Sequence, residues 1–173
     1  MSRLRRKWSF KISGKKYVLI KHAHETEEHV YMKAFMVALY IDSYPEIQVE
    51  TPYHSENKYK PDLLSLSMPH LSPHFWGECG KVSEEKLKYL LQYYPSTQLA
   101  FAKWGSIPHN YRDIISGNYA RATRKAGVDL MEFNNQHLGH VSDNGEIELG
   151  WPDLRHWRIN GNGEVIKNGY TLS

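Results

Sequence analysis

Cysteine is almost absent from this chain: Cys79 is the only one in 173 residues. One thiol excludes an internal disulfide framework and suits a reducing compartment, so a cytoplasmic protein is expected. Long apolar runs are missing as well. No stretch approaches the roughly 18 residues that a membrane-spanning helix needs, so no membrane partner is expected. The opening segment MSRLRRKWSFKISG has a basic start but no apolar region behind it, and a secretory signal is not expected. Charge of one sign is also lacking. There are 22 Lys and Arg against 19 Asp and Glu, a formal net charge of +3, and the isoelectric point is near 8.8. That mild basicity permits a nucleic-acid partner without demanding one. Repeats and low-complexity tracts do not occur.

What is present is ordinary for a globular protein: 40% hydrophobic and 24% charged residues. A chain of 173 residues is most simply one domain that buries about 70% of its unfolded surface. Ten histidines and 13% aromatic residues are both high. RKWSFKI and KKYVLIK flank Ser13 and Gly14, alternate apolar with basic residues, and predict a β-hairpin. The helical spacing of Val30, Phe35, Ala38 and Leu39 predicts a helix from His24 to Tyr40, with its acids in the first turn. Strands are predicted at Glu46–Glu50, Tyr59–Ser67 and His74–Cys79, the last two joined by the proline-containing SMPHLSP. Ser83 caps a helix that Pro95 terminates, and Thr97–Lys103 follows as a strand. The run from 74 to 103 thus predicts a right-handed parallel crossover in a mixed sheet. Beyond it, a helix is predicted over Asn110–Ala126 with Gly127 as its stop. Strands are predicted at Asp129–Phe133 and Glu146–Leu149, and a hairpin around Asn160-Gly161-Asn162-Gly163.

The groups that look like chemistry cluster between Lys60 and Trp104. KPDLLSL ends one apolar run on Asp62, and FWGECGK carries Glu78 and Lys81. Two carboxylates at adjacent strand ends repel unless a cation lies between them, which a divalent metal supplies. The alternative is that Asp62 only terminates a strand and Glu78 is a solvated edge residue.

This arrangement resembles the PD-(D/E)XK nuclease superfamily, and more closely the YaeQ family. HAHETEEHVYMKAFMVALY is similar to that family's N-terminal helix, KPDLLSL to its EPDLW, and FWGECGKVSEEKLKYL to its tryptophan–acid–glycine stretch. The resemblance covers residues 8–104 as the nuclease-like core and leaves 105–173 as a C-terminal elaboration. It implies an α/β fold with a restriction-endonuclease-like αβββαβ core, a mixed sheet flanked by helices, and β-rich C-terminal additions. It also implies a Mg²⁺- or Mn²⁺-dependent nuclease hydrolysing phosphodiester bonds in DNA or RNA. Asp62 and Glu78 would hold the metal, and Lys81 would assist the water and the transition state. Glu28 or Glu25 would complete the metal shell; favourable charge at a helix N-terminus is the other reading of that pair. A catalytically inactive nucleic-acid-binding or protein-interaction module on the same fold is the alternative.

One departure stands out. The superfamily lysine follows its acid by two residues, where this chain has Gly80, and Lys81 comes one later. In a regular strand Glu78 and Lys81 point to opposite faces. Gly80 offers a bulge or strand end, and Lys86 or Lys88 of the next helix is the substitute. Arg112, Arg121, Arg124 and Lys125, with Tyr111 and Tyr119, form either a surface that grips a phosphate backbone or a solvated helix face. His22, His24 and His29 lack the spacing of a closed zinc site. Cys79, on the strand face opposite Glu78, is expected in the core.

Overall fold

The computed structural model describes residues 6–51, 53, 58–68, 71–119 and 124–169. Strands β1 (Arg6–Ile12) and β2 (Lys15–Lys21) pair antiparallel as the predicted hairpin. Ser13 and Gly14 both take positive φ, 48° and 75°. That is the two-residue turn whose twist matches its strands.

A seven-stranded mixed sheet follows in sequential order. It comprises β3 (Gln48–Val49), β4 (Leu63–Ser67), β5 (Ser72–Cys79), β6 (Gln98–Trp104), β7 (Val128–Phe133), β8 (Arg155–Ile159) and β9 (Val165–Gly169). Pairs β5–β6 and β6–β7 are parallel, and the remaining neighbours are antiparallel. The two parallel crossovers run through α2 (Glu84–Tyr93) and α3 (His109–Tyr119), which pack on each other. Crossovers of one hand, advancing in one direction along a sheet, deliver their helices to one face. Leu87, Leu90 and Ile115 there meet Trp76, Leu99, Phe101 and Leu130 in one core.

The opposite face carries α1 (Glu27–Tyr40) and, outside it, the β1–β2 hairpin. A helix covered on two sides is buried nearly all round, and nine of the fourteen α1 residues are buried. Small residues bring it close to the sheet. Ala100 and Ala102 lie in that core, and a Cβ on Gly77 would stand 3.0 Å from the Met36 methyl. Thr26 caps the helix by accepting a hydrogen bond from the His29 amide.

Several boundaries differ from the sequence expectation. The strand at Glu46–Glu50 shrinks to Gln48–Val49 because Glu50 turns to φ 56°. Strand β5 begins at Ser72, inside the supposed connection, and Pro73 pairs where the register shifts beside Leu66. A bulge is where a strand tolerates a proline. Glu146–Leu149 forms no strand: single bridges tie Glu146 to Lys11 and Ile147 to Val141. The third helix is assigned only to Tyr119, and Arg124 and Lys125 lie in the connection to β7. Residues 120–123, with Arg121, are outside the described residues.

Candidate functional site

Strand β4 opens at Leu63, which pairs with Gly77 of β5. Asp62 therefore stands just outside the strand, across from Glu78. Its amide donates to the Gly77 carbonyl at 3.1 Å, and its Oδ2 accepts from the Cys79 amide at 2.8 Å. The two acids are neighbours, but their side-chain partners belong to opposite faces of the sheet.

On the α2 face, Glu78 is 5% exposed and both of its oxygens are engaged. Oε1 accepts from Trp76 Nε1 at 2.7 Å, and Oε2 pairs with Lys86 Nζ at 2.7 Å. Burial pushes its pKa up to about 7; Lys86 opposes that rise and the Asp62 charge adds to it. The folded state then binds a proton that the unfolded chain releases near 4.5. The associated stability is complete below about pH 4.5 and is lost as pH rises through about 7. We predict that the stability difference between wild type and Glu78→Gln shifts by about 2–3 kcal/mol from pH 4 to pH 8, against the wild type at high pH. Urea unfolding at both pH values checks this; a pH-independent difference would contradict it.

Lys81, the expected partner of these acids, is elsewhere. Strand β5 ends at Cys79, and Gly80 at φ 81° turns the chain away. Lys81 is exposed and, among the described residues, makes no ion pair. Lys103 has a lowered pKa, from burial and then from the nearby Lys81 charge. Lys86 takes the place at Glu78, as the substitute the sequence offered.

On the α1 face, an open cleft of about 390 Å³ lies against Asp62, with Glu25, His29, Lys33 and Glu50 in its wall. Lys33, 2% exposed, pairs with both Glu25 and Glu50. Burial alone would lower its pKa, but the two glutamates raise it, so it stays an ammonium at neutral pH. The same arithmetic applies to Asp62. Burial would raise its pKa, yet the His29 imidazole, the Cys79 amide and the Lys33 charge bring it below the usual carboxylate value. Glu25 lies before the helix cap, and its Oε2 accepts from the His22 amide at 3.1 Å. His29 and Lys33 follow at four-residue intervals on one side of α1, and Glu25, ahead of the helix, faces both. Glu50 is delivered by its left-handed backbone, a conformation that costs a non-glycine residue and is concentrated at functional sites. Glu28, the preferred helix acid, does not line the cleft. It sits about 100° around the helix from His29.

Among the described residues, the proposed phosphate-gripping set does not form one surface. Arg124 is 3% exposed, and its guanidinium donates to the carbonyls of Leu91, Tyr94 and Thr97. A group held this way cannot grip a backbone phosphate. Tyr111 is buried, its hydroxyl donating to the Val82 carbonyl at 2.7 Å. Arg112 stacks 5.3 Å from the Trp157 ring centroid, and Lys125 is exposed in a separate connection. Cys79 lies in the α1-side core, as its strand parity required.

Two solved structures resemble the chain over nearly its whole length. One is the YaeQ protein from Xanthomonas axonopodis pv. citri, with 16% identity, a TM-score of 0.57, and 92% of each chain covered. Another is the YaeQ protein from Pseudomonas syringae, with 13% identity, a TM-score of 0.56, and 89% of this chain and 87% of that one covered. No protein-family model and no curated protein sequence matches. At these identities the likeness establishes a shared fold. Its extent takes in most of residues 105–173, which the sequence resemblance left unassigned.

Proposed function

We propose that the chain is a YaeQ-family protein with a restriction-endonuclease-like core, and a divalent-metal-dependent phosphodiesterase acting on nucleic acid. The observation that carries this reading is the α1-side cleft. Glu25, Glu50 and Asp62 are gathered there around a single buried ammonium, that of Lys33. Three carboxylates against the buried Lys33 and the exposed Lys60 leave one negative charge uncompensated in a partly shielded cleft. Carboxylate oxygens are the donors that Mg²⁺ and Mn²⁺ take, so the donor set fits such an ion.

Asp62, Glu25 and Glu50 would hold the metal in this reading. When bound, it polarises a phosphoryl oxygen and lowers the pKa of a coordinated water. Lys33, held charged, faces the negative charge that develops on the phosphoryl group. The Glu78–Lys86 pair fixes the end of β5 from the other face, and the Cys79 amide that follows it orients Asp62. The small excess of basic residues, 22 to 19, suits a polyanionic substrate.

Purified protein with Mg²⁺ or Mn²⁺ should cleave at least one of four substrates: single- or double-stranded DNA or RNA. Asp62→Asn is expected to reduce that cleavage by about 10²–10³-fold with the fold intact. Cleavage that survives Asp62→Asn would sink the assignment. A second reading has its own observation: Lys33 already pairs with Glu25 and Glu50, and Lys86 already pairs with Glu78. A binding module with a filled acidic site would show steep salt dependence of nucleic-acid affinity, no cleavage, and no heat of Mg²⁺ binding.

A further inference from the structure

Behind the cleft wall formed by His29 and Asp62 lies a set of donors with a chemistry of its own. Nitrogen, oxygen and sulfur meet there: ligand atoms of His29, Asp62 and Cys79 all lie within 4.8 Å of one another. His29 Nε2 is shielded from solvent and, among the described residues, has no well-formed hydrogen bond. Its nearest charged neighbour is Asp62 Oδ2, 3.5 Å away. On the other side of the ring, Nδ1 faces Glu25 Oε1 at 3.5 Å, and the Glu25 side chain is only 7% exposed. A carboxylate behind Nδ1 that leaves Nε2 open is the arrangement that orients a metal-binding histidine. Tetrahedral zinc with bonds of about 2.0–2.1 Å to nitrogen and oxygen spaces those atoms about 3.4 Å apart. The observed 3.5 Å between His29 and Asp62 is that edge. The Cys79 thiol meets a second soft atom, Met36 Sδ, at 3.3 Å.

We propose that His29, Asp62 and Cys79 form a site for a thiophilic divalent metal of the zinc class, oriented from behind by Glu25. Sulfur ligation selects such an ion over Mg²⁺, which prefers oxygen. Asp62 Oδ2 faces this set, while Oδ1, which makes no hydrogen bond among the described residues, is left for the cleft. Asp62 is therefore placed to bridge the two positions. Closing the site asks Cys79 Sγ to approach by at most about an ångström, toward the sulfur bond length of about 2.3 Å. On coordination the thiol proton leaves to solvent, so binding releases protons and strengthens with pH. The sequence spacing gave no sign of this set, because its members come from a helix, a strand start and a strand end.

The site does not depend on the phosphodiesterase reading, since it is assayed on the protein alone. Reduced protein is titrated with Co²⁺ and followed by absorption. A thiolate-to-cobalt charge-transfer band that saturates at one equivalent and is displaced by Zn²⁺ is expected. Cys79→Ser should remove the band. His29→Ala and Glu25→Gln, each checked by circular dichroism, should each weaken Co²⁺ binding by at least about tenfold. No thiolate band in the wild type overturns the proposal, whatever the variants do. Cobalt bound without sulfur, or a band indifferent to His29, overturns it equally. Failure here with Mg²⁺-dependent cleavage intact leaves the proposed function standing; the reverse result removes the function and keeps the site.

Discussion

Lys33→Met is expected to cost about 3–5 kcal/mol of folding stability, measured by urea unfolding at neutral pH. The methionine keeps the buried stem and removes only the ammonium. What remains is Glu25, 7% exposed, and Glu50, 24% exposed, without the cation that both now hold. An ion left unpaired in a shielded place costs far more than the pair contributed, which is why the effect is large. Adding Glu25→Gln and Glu50→Gln to Lys33→Met should recover most of the loss, since no orphan charge is left. The pH dependence has a definite sign. The Lys33 pKa is raised in the folded protein above 10.5, so its contribution is complete below that value and is lost only at higher pH. A loss under about 1 kcal/mol from Lys33→Met would place the trio in water-like surroundings, as for an exposed pair. It would also weaken the case for the cleft as a site of focused charge.

The same lysine shows what the sequence makes legible. Lys33 interrupts the apolar run Met32 to Leu39, and with Glu25 and His29 it repeats at helical spacing on a helix that is otherwise core. Lys33 was not singled out, but Glu25, the acid four residues before His29, was in view as a candidate metal ligand. Glu50 was not. It arrives from a loop through a left-handed backbone that residue identity does not announce. The hairpin at Ser13–Gly14, the Ser83 cap and the β5–α2–β6 crossover were legible because each rests on local rules: turn residues, caps, and a strand–helix–strand pattern. Asp62 and Glu78 were correctly seen as strand-end neighbours, but their division between two faces depends on how β5 ends. That turn is made by Gly80, which sends Lys81 outward and leaves Glu78 to Lys86. Where a side chain acts across elements, spacing along the chain no longer decides its partner.

Arg124 is the sharpest case, and its replacement should be as costly as that of Lys33. RATRKAG reads as a basic helical end, because nothing before Gly127 breaks the pattern. Instead Arg124 turns inward and reaches the last turn of α2. Nη1 donates to the carbonyls of Leu91 and Tyr94, both at 2.9 Å, and Nη2 to that of Thr97 at 2.8 Å. The final carbonyls of a helix have no partner within it, and here a guanidinium supplies one from a distant segment. The amides of Lys125 and Ala126 add bonds to the Pro95 carbonyl. The segment therefore straps the α2–β6 turn to the start of β7. Arg124→Ala is expected to cost about 3–5 kcal/mol, since it removes three charge-assisted bonds and strands their acceptors. Arg124→Lys should recover little of this, because a single ammonium cannot span the fork of three carbonyls. Urea unfolding measures both variants. Nucleic-acid affinity, compared at conditions where each protein is folded, should stay unchanged for Arg124→Lys. A lysine variant as stable as the wild type would show that charge alone holds the turn. Lost affinity in the folded Arg124→Lys protein would return that residue to the binding surface.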